Sequence, residues 1–458
     1  MKKLGCRPMV GLQNLGLAIM VRIHASQPNF CREALEGKMP KQIEKKVAVI
    51  ILAAGKSTRM KSELPKVLHK LCGRPMLGYV LDLVKSLNPA QVVAVLGYKQ
   101  ELVRKFVPSG VKIAIQKKLV GTADAVKTGL AALSGFKGTV LILYGDNPLL
   151  KKETLKKLLD YHFENNVDAT LLTAQLKKPF GYGRIVRDKY SSICGIVEEN
   201  DADEAQKDIK EINTGIMAFK KESLLANLAS IRPNNRKKEY YLTDIIEILA
   251  RKKYLVDGLK IPDPGEALGI NTRAELAQAN TLMQKTINDK LMQAGVTLVD
   301  PATTFINFGT KIGQDTVIYP FTVIERDVKI GKRCFVGPFA HLREGVELGD
   351  DVTAGNFIEM VRSRIGTKTF VKHFSYLGDT SVGSNVNIGA GTVTANFDGK
   401  DKHHTLINDN VNIGSDTIIV APVKIGKFAM TGSGTVVTKN VPEKTVVVGV
   451  PGRVLRKR

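Results

Sequence analysis

Two hydrophobic patterns alternate between Val47 and about Asn271. Short continuous apolar runs, among them VAVIIL, QVVAVLG, VKIAIQ, TVLILYGD and DATLLTAQL, have the length and composition of buried strands. Between them lie PMLGYVLDLVKSL, GTADAVKTGLAAL and KETLKKLLDYHFEN, whose apolar residues recur at helical spacing. Continuous apolar strands separated by helices predict a parallel sheet covered on both faces, and hence a Rossmann-like α/β domain. Ligands of such sheets bind at the carboxyl ends of the strands.

A different pattern begins after a predicted connecting helix, residues 272–297. An aliphatic residue followed by glycine recurs at successive intervals of 18, 18, 17, 17, 6, 25 and 12 residues. Intervals near multiples of six predict a solenoid of triangular coils, each built from three hexapeptides with the aliphatic residues stacked inside. We therefore expect a left-handed parallel β-helix over residues 298–458, with an extra loop within Thr394 to Leu406 that accounts for the interval of 25. The pairs are Ile312-Gly313, Ile330-Gly331, Leu348-Gly349, Ile365-Gly366, Val382-Gly383, Ile388-Gly389, Ile413-Gly414 and Ile425-Gly426.

The first 45 residues follow neither pattern. MKKLGCRPMVGLQNLGLAIMVRIHASQ has the basic start and apolar stretch of a signal peptide, but Gln13 and Asn14 interrupt the apolar run. We expect residues 1–45 to be a disordered appendage, and Met39 is an alternative start. No stretch approaches the roughly 20 consecutive apolar residues that a membrane span needs, so no membrane partner is expected.

Charge and cysteine content narrow the function classes. Lys and Arg number 68 against 44 Asp and Glu, and the formal net charge of +24 suits nucleic acid, an acidic membrane surface or phosphorylated substrates. No recognition helix or basic strip with interleaved aromatic residues accompanies the charge, so nucleic acid is not an expected partner. The 5 cysteines are scattered without a C-x-x-C pair, which argues against a disulfide framework or a zinc site and favours a cytoplasmic location.

The stretch LAAGKSTRM follows the first predicted strand. Its GKST resembles the end of a P-loop, but the position that needs a second glycine is Ile50, inside the strand. Small residues at this turn instead let backbone groups approach a base and phosphates, while Arg59 and Lys66 supply positive charge for a triphosphate. With Leu52-Ala53-Ala54-Gly55, Arg59 and Leu64-Pro65-Lys66 at the expected spacing, the chain resembles the nucleoside-diphosphate-sugar pyrophosphorylases.

Further motifs resemble one group of these enzymes, the bifunctional family that makes UDP-N-acetylglucosamine. They are QKKLVGTADA, LYGDNPLL, GYGRIV, GIVEEND, EINTGI, EYYLTDII and GINTR, and the resemblance covers nearly all of residues 46–452. It implies a uridylyltransferase domain over residues 46–271 and an acetyltransferase β-helix. In the implied reactions, glucosamine-1-phosphate takes an acetyl group from acetyl-CoA. N-acetylglucosamine-1-phosphate then takes a uridylyl group from UTP, and pyrophosphate is released.

The resemblance also assigns roles to residues of the first domain. Arg59 and Lys66 are the implied catalytic cations. Asp146 and Asn271 are the implied Mg²⁺ ligands, and a carboxylate at a strand end is a hard oxygen ligand of the kind that Mg²⁺ prefers. The implied nucleotide-sugar-binding residues are Leu52, Ala53, Ala54, Gly55, Lys66, Gln116, Gly121, Thr122, Tyr144, Gly145, Asp146, Gly183, Glu198, Asn213 and Asn271.

Acetyl transfer to an amine needs a base to take the amine proton, and histidine is suited to this near neutral pH. His373, in KHFSYLGD, resembles the catalytic base of the family. The resemblance further implies a homotrimer in which acetyl-transfer sites lie between subunits. The implied ligands are Arg343, Tyr376 and Asn387 for the sugar phosphate, and Ala390, Asn396, Phe397, Ser415 and Ser433 for acetyl-CoA.

The second domain departs from the family pattern at several positions. Val361 stands where the family has a lysine, with Arg362 next to it, and Phe397 replaces a tyrosine. Two alternatives therefore stay open at this point: a uridylyltransferase whose β-helix only supports trimerisation, and a binding or regulatory relative without turnover. The presence of the implied cations and of both metal ligands argues against the second, because a binding protein has little need of a metal ligand.

Overall fold

A computed structural model describes residues 45–457, and residues 1–44, which hold nearly all of the predicted appendage, lie outside the described part. Val47–Arg458 form one unit, which begins with an α/β domain. Its strands are β1 (Val47–Ala53), β2 (Lys70–Leu71), β3 (Arg74–Pro75), β4 (Gln91–Leu96), β5 (Lys112–Ile115), β6 (Thr139–Tyr144), β7 (Ala169–Gln175), β8 (Arg184–Arg187), β9 (Ile193–Val197), β10 (Glu211–Lys220) and β11 (Val256–Lys260). Its helices are α1 (Met76–Ser86), α2 (Gln100–Arg104), α3 (Thr122–Ala131), α4 (Lys152–Glu164), α5 (Glu204–Lys207), α6 (Lys221–Leu228) and α7 (Asp244–Arg251), and α8 (Arg273–Gln293) follows the domain.

The strand β1 lies at the centre of the main sheet, whose order is β11-β7-β10-β6-β1-β4-β5. It pairs in parallel with β4 and with β6, and all of its residues except the first are buried. Ile50 packs with α3, α6 and α7 on one face of the sheet, while Ile51 packs with α1 and α4 on the other. Burial on both faces explains why this strand reads as a continuous apolar run.

Contrary to the prediction, the sheet is not parallel throughout, because it contains β10, a strand that was not among the predicted apolar runs. This strand runs antiparallel to both of its neighbours, β6 and β7. Before β10 the chain makes the β8–β9 hairpin and the short helix α5, so no crossover helix returns it to the end of the sheet at which a parallel strand must start. The strand-helix alternation does not contain this information, because direction depends on where the chain re-enters the sheet.

The helix α8 connects the two domains and covers the first coil of the β-helix. It begins after a capping box, in which Thr272 and Glu275 satisfy each other's backbone N–H groups. It begins one residue later and ends four residues earlier than the predicted connecting helix. Near its end, Asn288 Nδ2 donates to the carbonyls of Pro301 and Thr304 at 2.9 and 3.2 Å. Polar groups at the open end of the solenoid are thereby satisfied.

The strands of the β-helix form three parallel stacks, which we call the first, second and third faces. The first face comprises β12 (Thr297–Leu298), β15 (Val317–Ile318), β18 (Phe335–Val336), the starts of β21 (Thr353–Val361) and β23 (Phe370–Gly378), β25 (Asn387–Ile388), β28 (Asn412–Ile413), β31 (Met430–Thr431) and β33 (Thr445–Val448), with β34 (Arg453–Lys457) antiparallel at its end. The second face comprises β13 (Phe305–Ile306), β16 (Val323–Ile324), β19 (His341–Leu342), the ends of β21 and β23, β26 (Val393–Ala395), β29 (Ile418–Val420) and β32 (Val436–Val437). The third face comprises β14 (Lys311–Ile312), β17 (Lys329–Ile330), β20 (Glu347–Leu348), β22 (Arg364–Ile365), β24 (Thr380–Val382), β27 (Thr405–Ile407) and β30 (Val423–Ile425).

The aliphatic residues of the repeat fill the interior of the coils, as predicted. Ile330 and Leu348, for example, are 5% exposed and belong to one continuous core. The glycine after each aliphatic residue is required by close packing of successive coils: a Cβ at Gly331 would lie 2.5 Å from the carbonyl carbon of Gly349. The interval of 25 residues is also explained, since the chain leaves the coil after β26 and returns at Thr405.

Asn288 on α8 is 1% exposed, and its side chain also accepts a hydrogen bond from Gln284 Nε2 at 2.9 Å. We expect Asn288→Leu to lower the free energy of unfolding by about 1 to 3 kcal/mol, because buried carbonyls of the first coil lose their donor. Urea titration followed by circular dichroism measures the change. Gln278→Leu, on an exposed position of the same helix, is the control, and equal stability of the two variants would contradict the role of Asn288.

Candidate active sites

The first site is a cavity of about 460 Å³ at the carboxyl ends of β1 and β6. The LAAG turn forms one wall, and the start of α3 forms another. Most of the sequence-predicted residues of the first domain meet here. Those that line the cavity are Leu52, Ala53, Ala54, Gly55, Arg59, Lys66, Gln116, Gly121, Thr122, Tyr144, Asp146 and Asn271.

The two predicted metal ligands converge on one cation. The Lys66 ammonium forms an ion pair with Asp146 Oδ2 and donates to Asn271 Oδ1 at 2.8 Å. Arg59 Nη2 donates to the same oxygen at 3.0 Å. Asn271 is oriented from behind, because its Nδ2 donates to the carbonyl of Gly269 at 3.1 Å. A carboxylate oxygen and an amide oxygen therefore face a single position that suits a cation.

Gln116 lies at the opposite end of the cavity, and its side chain presents only a hydrogen-bond acceptor there. Its Nε2 donates to the carbonyl of Gly121 at 3.0 Å and to Asp124 Oδ2 at 2.9 Å, so both amide N–H groups are used. Its carbonyl oxygen is left as an acceptor. Gly121 has a φ of 131°, and a Cβ there would lie 2.3 Å from the carbonyl oxygen of Tyr240, so no other residue fits at the start of α3.

Three predicted sugar-facing residues, Gly183, Glu198 and Asn213, do not line this cavity but form a group beside it. The Asn213 N–H donates to the carbonyl of Gly183 at 2.8 Å, and a Cβ at Gly183 would lie 3.5 Å from Glu198 Oε2. Burial raises the pKa of Glu198, whose carboxylate accepts from Thr243 Oγ1 at 3.0 Å. Tyr144 links this group to the cavity, because its ring contacts Gly215 and burial near Glu198 and Asp146 raises its pKa.

Gly145 also lies behind the cavity wall rather than in it. Its N–H donates to the carbonyl of Leu52 at 2.9 Å, and a Cβ would lie 3.1 Å from Val67 and 3.3 Å from Leu77. Its role in this structure is to let the turn after β6 pack closely.

Sequence reasoning missed several residues of the cavity wall. Lys237 and Glu239 come from the loop before α7, which Asn235 closes by accepting from the Glu239 N–H at 3.1 Å and donating to its carbonyl at 2.6 Å. The run of basic residues just before EYYLTD was the available signal. Val67, Leu119 and Ala125 were also missed, whereas the lining residues Lys56, Ser57 and Thr58 belong to the turn that was predicted to approach the phosphates.

The second site lies along the corner between the first and second faces of the β-helix. His373 is at this corner, in the middle of β23. Ala390, Ser415 and Ser433 follow it one coil at a time, as shown by backbone bonds from Gly391 N to the Phe374 carbonyl, from Asp416 N to the Ala390 carbonyl and from Gly434 N to the Ser415 carbonyl. The predicted base and three predicted acetyl-CoA residues therefore share one edge of the solenoid.

The sugar-phosphate residues are divided between two faces. Arg343 and Tyr376 belong to the second face, where Arg343 Nη1 donates to Glu359 Oε1 at 2.9 Å and Glu359 pairs with Tyr376 on the next coil. Asn387 lies on the first face, and its Nδ2 donates to Asn412 at 3.0 Å. Within one chain, the structure does not bring Asn387 together with the other two.

Family models match both domains. The model described as MobA-like NTP transferase domain matches residues 49–208. Models described as bacterial transferase hexapeptide (six repeats) and hexapeptide repeat of succinyl-transferase match residues 309–343 and 405–439. Each domain thus matches separate family models. The function of the two domains together has to be inferred from relatives that match the whole chain.

Whole-chain relatives carry both domains in the same order. The bifunctional protein GlmU of Thermosipho africanus is 44% identical over 441 residues, which cover 89% of this chain and 96% of that protein. The proteins of the same name from Geotalea daltonii and Geobacillus sp. are each 40% identical, over 88% and 87% of this chain and 96% and 94% of their own lengths. The chain belongs to the GlmU family. Membership confirms the predicted family, the α/β nucleotidyltransferase fold followed by a left-handed β-helix, and a bifunctional enzyme with nucleotidyltransferase and acetyltransferase activities.

Against the GlmU pattern, the replacement of lysine by Val361 changes the electrostatics of the second face. Val361 is 4% exposed and stacks beside Arg343 in the coil. The neighbouring Arg362 is in a bidentate ion pair with Asp379, through Nε at 2.6 Å and Nη2 at 2.7 Å. The charge of Arg362 is therefore already paired with that of Asp379. Asp379 itself was missed by sequence reasoning.

The extra loop carries the two remaining predicted acetyl-CoA residues. Asn396 is 6% exposed and Phe397 is 58% exposed, and Phe397 forms a backbone bridge with Lys402. His403 Nε2 lies 2.7 Å from Asp398 Oδ2, and this contact helps to lower the pKa of Asp398. The loop thus has its own polar contacts. Within residues 45–457, no helix is long and apolar enough to cross a membrane.

Proposed function

We propose that this chain makes UDP-N-acetylglucosamine in two steps. The β-helix transfers an acetyl group from acetyl-CoA to glucosamine-1-phosphate, and the α/β domain then transfers a uridylyl group from UTP to N-acetylglucosamine-1-phosphate. The observation that carries the uridylyl step is the convergence of Asp146, Asn271 and Lys66 on one cation position in a cavity whose other end presents Gln116.

In the uridylyl site, the free carbonyl oxygen of Gln116 accepts the N3–H of uracil, and the Gly121 turn and the start of α3 approach the base. Lys66 and Arg59 neutralise charge on the triphosphate. A phosphate oxygen of N-acetylglucosamine-1-phosphate attacks the α-phosphorus in line, and pyrophosphate leaves. The group of Gly183, Glu198 and Asn213 beside the cavity suits the hydroxyl and amide groups of the sugar.

The residues that face the cation position fit Mg²⁺. Asp146 and Asn271 supply the hard oxygen atoms that this ion binds, and an ammonium group already lies between them. Among residues 45–457, there is no cluster of three or more His, Cys, Asp or Glu side chains that could hold a metal ion. Mg²⁺ bound there would orient phosphate oxygens and neutralise developing negative charge.

In the acetyl site, His373 takes a proton from the amine of glucosamine-1-phosphate as the amine attacks the thioester carbonyl, and the thiol of CoA leaves. Arg343 binds the phosphate. The column of Ala390, Ser415 and Ser433 extends along the edge from His373, where the elongated arm of acetyl-CoA can lie. Asn387 completes the site only from a neighbouring chain, so we propose a homotrimer in which the first face of one subunit meets the second face of the next.

Asp146→Asn should lower the rate of uridylyl transfer on the order of 10²- to 10³-fold, the usual effect of removing one preorganised electrostatic contact. Acetyl transfer by the same protein should be unchanged, which also shows that the chain is folded. The two half reactions are followed separately by pyrophosphate release and by thiol release. Asp160→Asn, on an exposed position of α4, is the matched control, and normal uridylyl transfer in Asp146→Asn would exclude this carboxylate from the metal site.

His373→Ala should reduce acetyl transfer by about 10²- to 10⁴-fold, the range expected for loss of a general base. Uridylyl transfer should keep its wild-type rate. The loss should appear in kcat, since His373 acts on the proton and not on substrate affinity. If the wild-type chain itself transfers no acetyl group at saturating substrates, the β-helix is a trimerisation scaffold instead.

The shared site can be tested by mixing inactive subunits. His373→Ala and Asn387→Ala trimers, each impaired alone, are denatured together and refolded. If Asn387 serves the site of the neighbouring subunit, random mixing leaves about one quarter of the sites with both wild-type residues, and acetyl transfer returns to about that level. No recovery would mean that both residues act within one chain. Wild-type protein refolded in the same way controls for the yield.

A further inference from the structure

A ladder of polar side chains runs along the corner between the second and third faces of the β-helix. One residue comes from each successive coil, since strand pairing aligns these positions. Ion pairs join neighbours, as in Arg326 Nη2 to Glu344 Oε1 at 2.9 Å and Arg362 Nε to Asp379 Oδ1 at 2.6 Å. The ladder consists of Arg326, Glu344, Arg362, Asp379 and Asn396. Its last member, Asn396, is a predicted acetyl-CoA residue.

Asp379 contacts both of its neighbours in the ladder, Arg362 and Asn396. Its two carboxylate oxygens accept from Arg362, and Oδ2 also accepts from Asn396 Nδ2 at 2.5 Å. The side chain of Asp379 is 18% exposed, so solvent competes little for these contacts. The pairing with Arg362, followed by the bond from Asn396, lowers the pKa of Asp379 and keeps it charged.

The contact with Asp379 fixes the orientation of the Asn396 amide. A charged carboxylate can only accept hydrogen bonds, so the atom of Asn396 that faces it must be the amide nitrogen. The carbonyl oxygen of Asn396 therefore points away from Asp379. Asn396 is left with its carbonyl oxygen as an acceptor and its second amide N–H as a donor.

The contact between Asp379 and Asn396 lies next to Tyr376, one of the predicted sugar-phosphate residues. A Cβ at Gly378 would lie 2.6 Å from the Tyr376 hydroxyl and 2.7 Å from Asn396 Nδ2, so these two groups flank one glycine. Arg362 also lies near Tyr376. Asp379 thus lies at the point where the predicted acetyl-donor and acetyl-acceptor residues meet.

We propose that Asp379 is a positioning residue of the acetyltransferase site, which turns the Asn396 carbonyl oxygen toward an amide N–H of the pantetheine arm of acetyl-CoA. The inference rests on the proposed acetyl transfer. Asp379 touches neither substrate, and it acts through Asn396. A purely structural ion pair would predict an effect on stability alone.

Asp379→Asn is the first test. An asparagine at 379 can present either an oxygen or a nitrogen, so the Asn396 amide loses its fixed orientation. We expect the KM for acetyl-CoA, and the dissociation constant measured by calorimetry, to rise about tenfold, the effect of losing one hydrogen bond to a charged group. The KM for glucosamine-1-phosphate should change less, and uridylyl transfer by the same protein should be normal.

Exchanging the two side chains is the rescue experiment. Asn396→Asp alone places two carboxylates in contact and should weaken acetyl-CoA binding at least as much as Asp379→Asn. The double variant Asp379→Asn with Asn396→Asp restores the hydrogen bond with reversed polarity, and position 396 again presents an acceptor oxygen. Acetyl-CoA binding should therefore be tighter in the double variant than in either single variant.

Glu347→Gln is the matched control. Glu347 also joins the coils on either side, through Lys329 at 2.7 Å and Arg364 at 3.4 Å, but it belongs to the third face, which carries none of the predicted site residues. Its removal should leave acetyl-CoA binding and both activities unchanged.

Two results would overturn the inference: unchanged acetyl-CoA binding in Asp379→Asn, or a double variant that binds as weakly as the effects of the single variants combined. If the single variant loses uridylyl transfer as well, it is misfolded, and the double variant decides. If the wild-type chain binds acetyl-CoA but transfers no acetyl group, the proposed activity fails while the calorimetric comparison still decides the role of Asp379.

Discussion

Parallel backbone pairing between neighbouring strands places the chemical groups of both sites. In the α/β domain, β1 pairs in parallel with β4 and β6, so the residues that follow these strands emerge at one edge of the sheet. The turn after β1 carries Gly55, and the turn after β6 carries Asp146. In the β-helix, parallel pairing of whole coils places equivalent positions above one another at the usual strand separation of about 4.8 Å. Columns of side chains result, and the site along the His373 edge is such a column.

Within a column, charged side chains on neighbouring coils should have opposite signs, because like charges one coil apart repel and opposite charges attract. The outer surface follows this rule where Arg326 meets Glu344, Lys329 meets Glu347 and Arg362 meets Asp379. Val361 belongs to the column next to Arg362, beside Arg343. A lysine there would add a third cation to this part of the surface, and its absence leaves Arg343 and Arg362 each paired with a carboxylate. Valine at position 361 therefore keeps a local charge balance between these two cations and their carboxylate partners.

Features that depend on a local periodicity could be predicted from the sequence. Apolar runs gave the strands of the first domain, helical spacing gave its main helices, and the interval of 25 located the loop after β26. Contacts between side chains that are distant in the sequence follow no such periodicity. Lys66 contacts Asp146 and Asn271, which are 80 and 205 residues away. These three residues were assigned to one site only through the family resemblance. The direction of β10, the placement of Asn387 on a separate face and the contacts of Asp379 depend on tertiary arrangement, so no pattern in the chain could give them.

Three amide side chains proposed to bind ligands in the two sites share one physical arrangement. Gln116 uses its N–H groups on the Gly121 carbonyl and Asp124, Asn271 uses its Nδ2 on the Gly269 carbonyl, and Asn396 uses its Nδ2 on Asp379. Each then presents its oxygen to the site. Asn213 is arranged in the opposite way, since its Oδ1 accepts from the Gly215 N–H at 3.0 Å and its amide nitrogen remains for a ligand. An amide side chain can turn by half a revolution at little steric expense, so by itself it does not distinguish a donor from an acceptor. A fixed protein partner removes that ambiguity, because it determines, when the chain folds, where the carbonyl oxygen and the amide nitrogen lie.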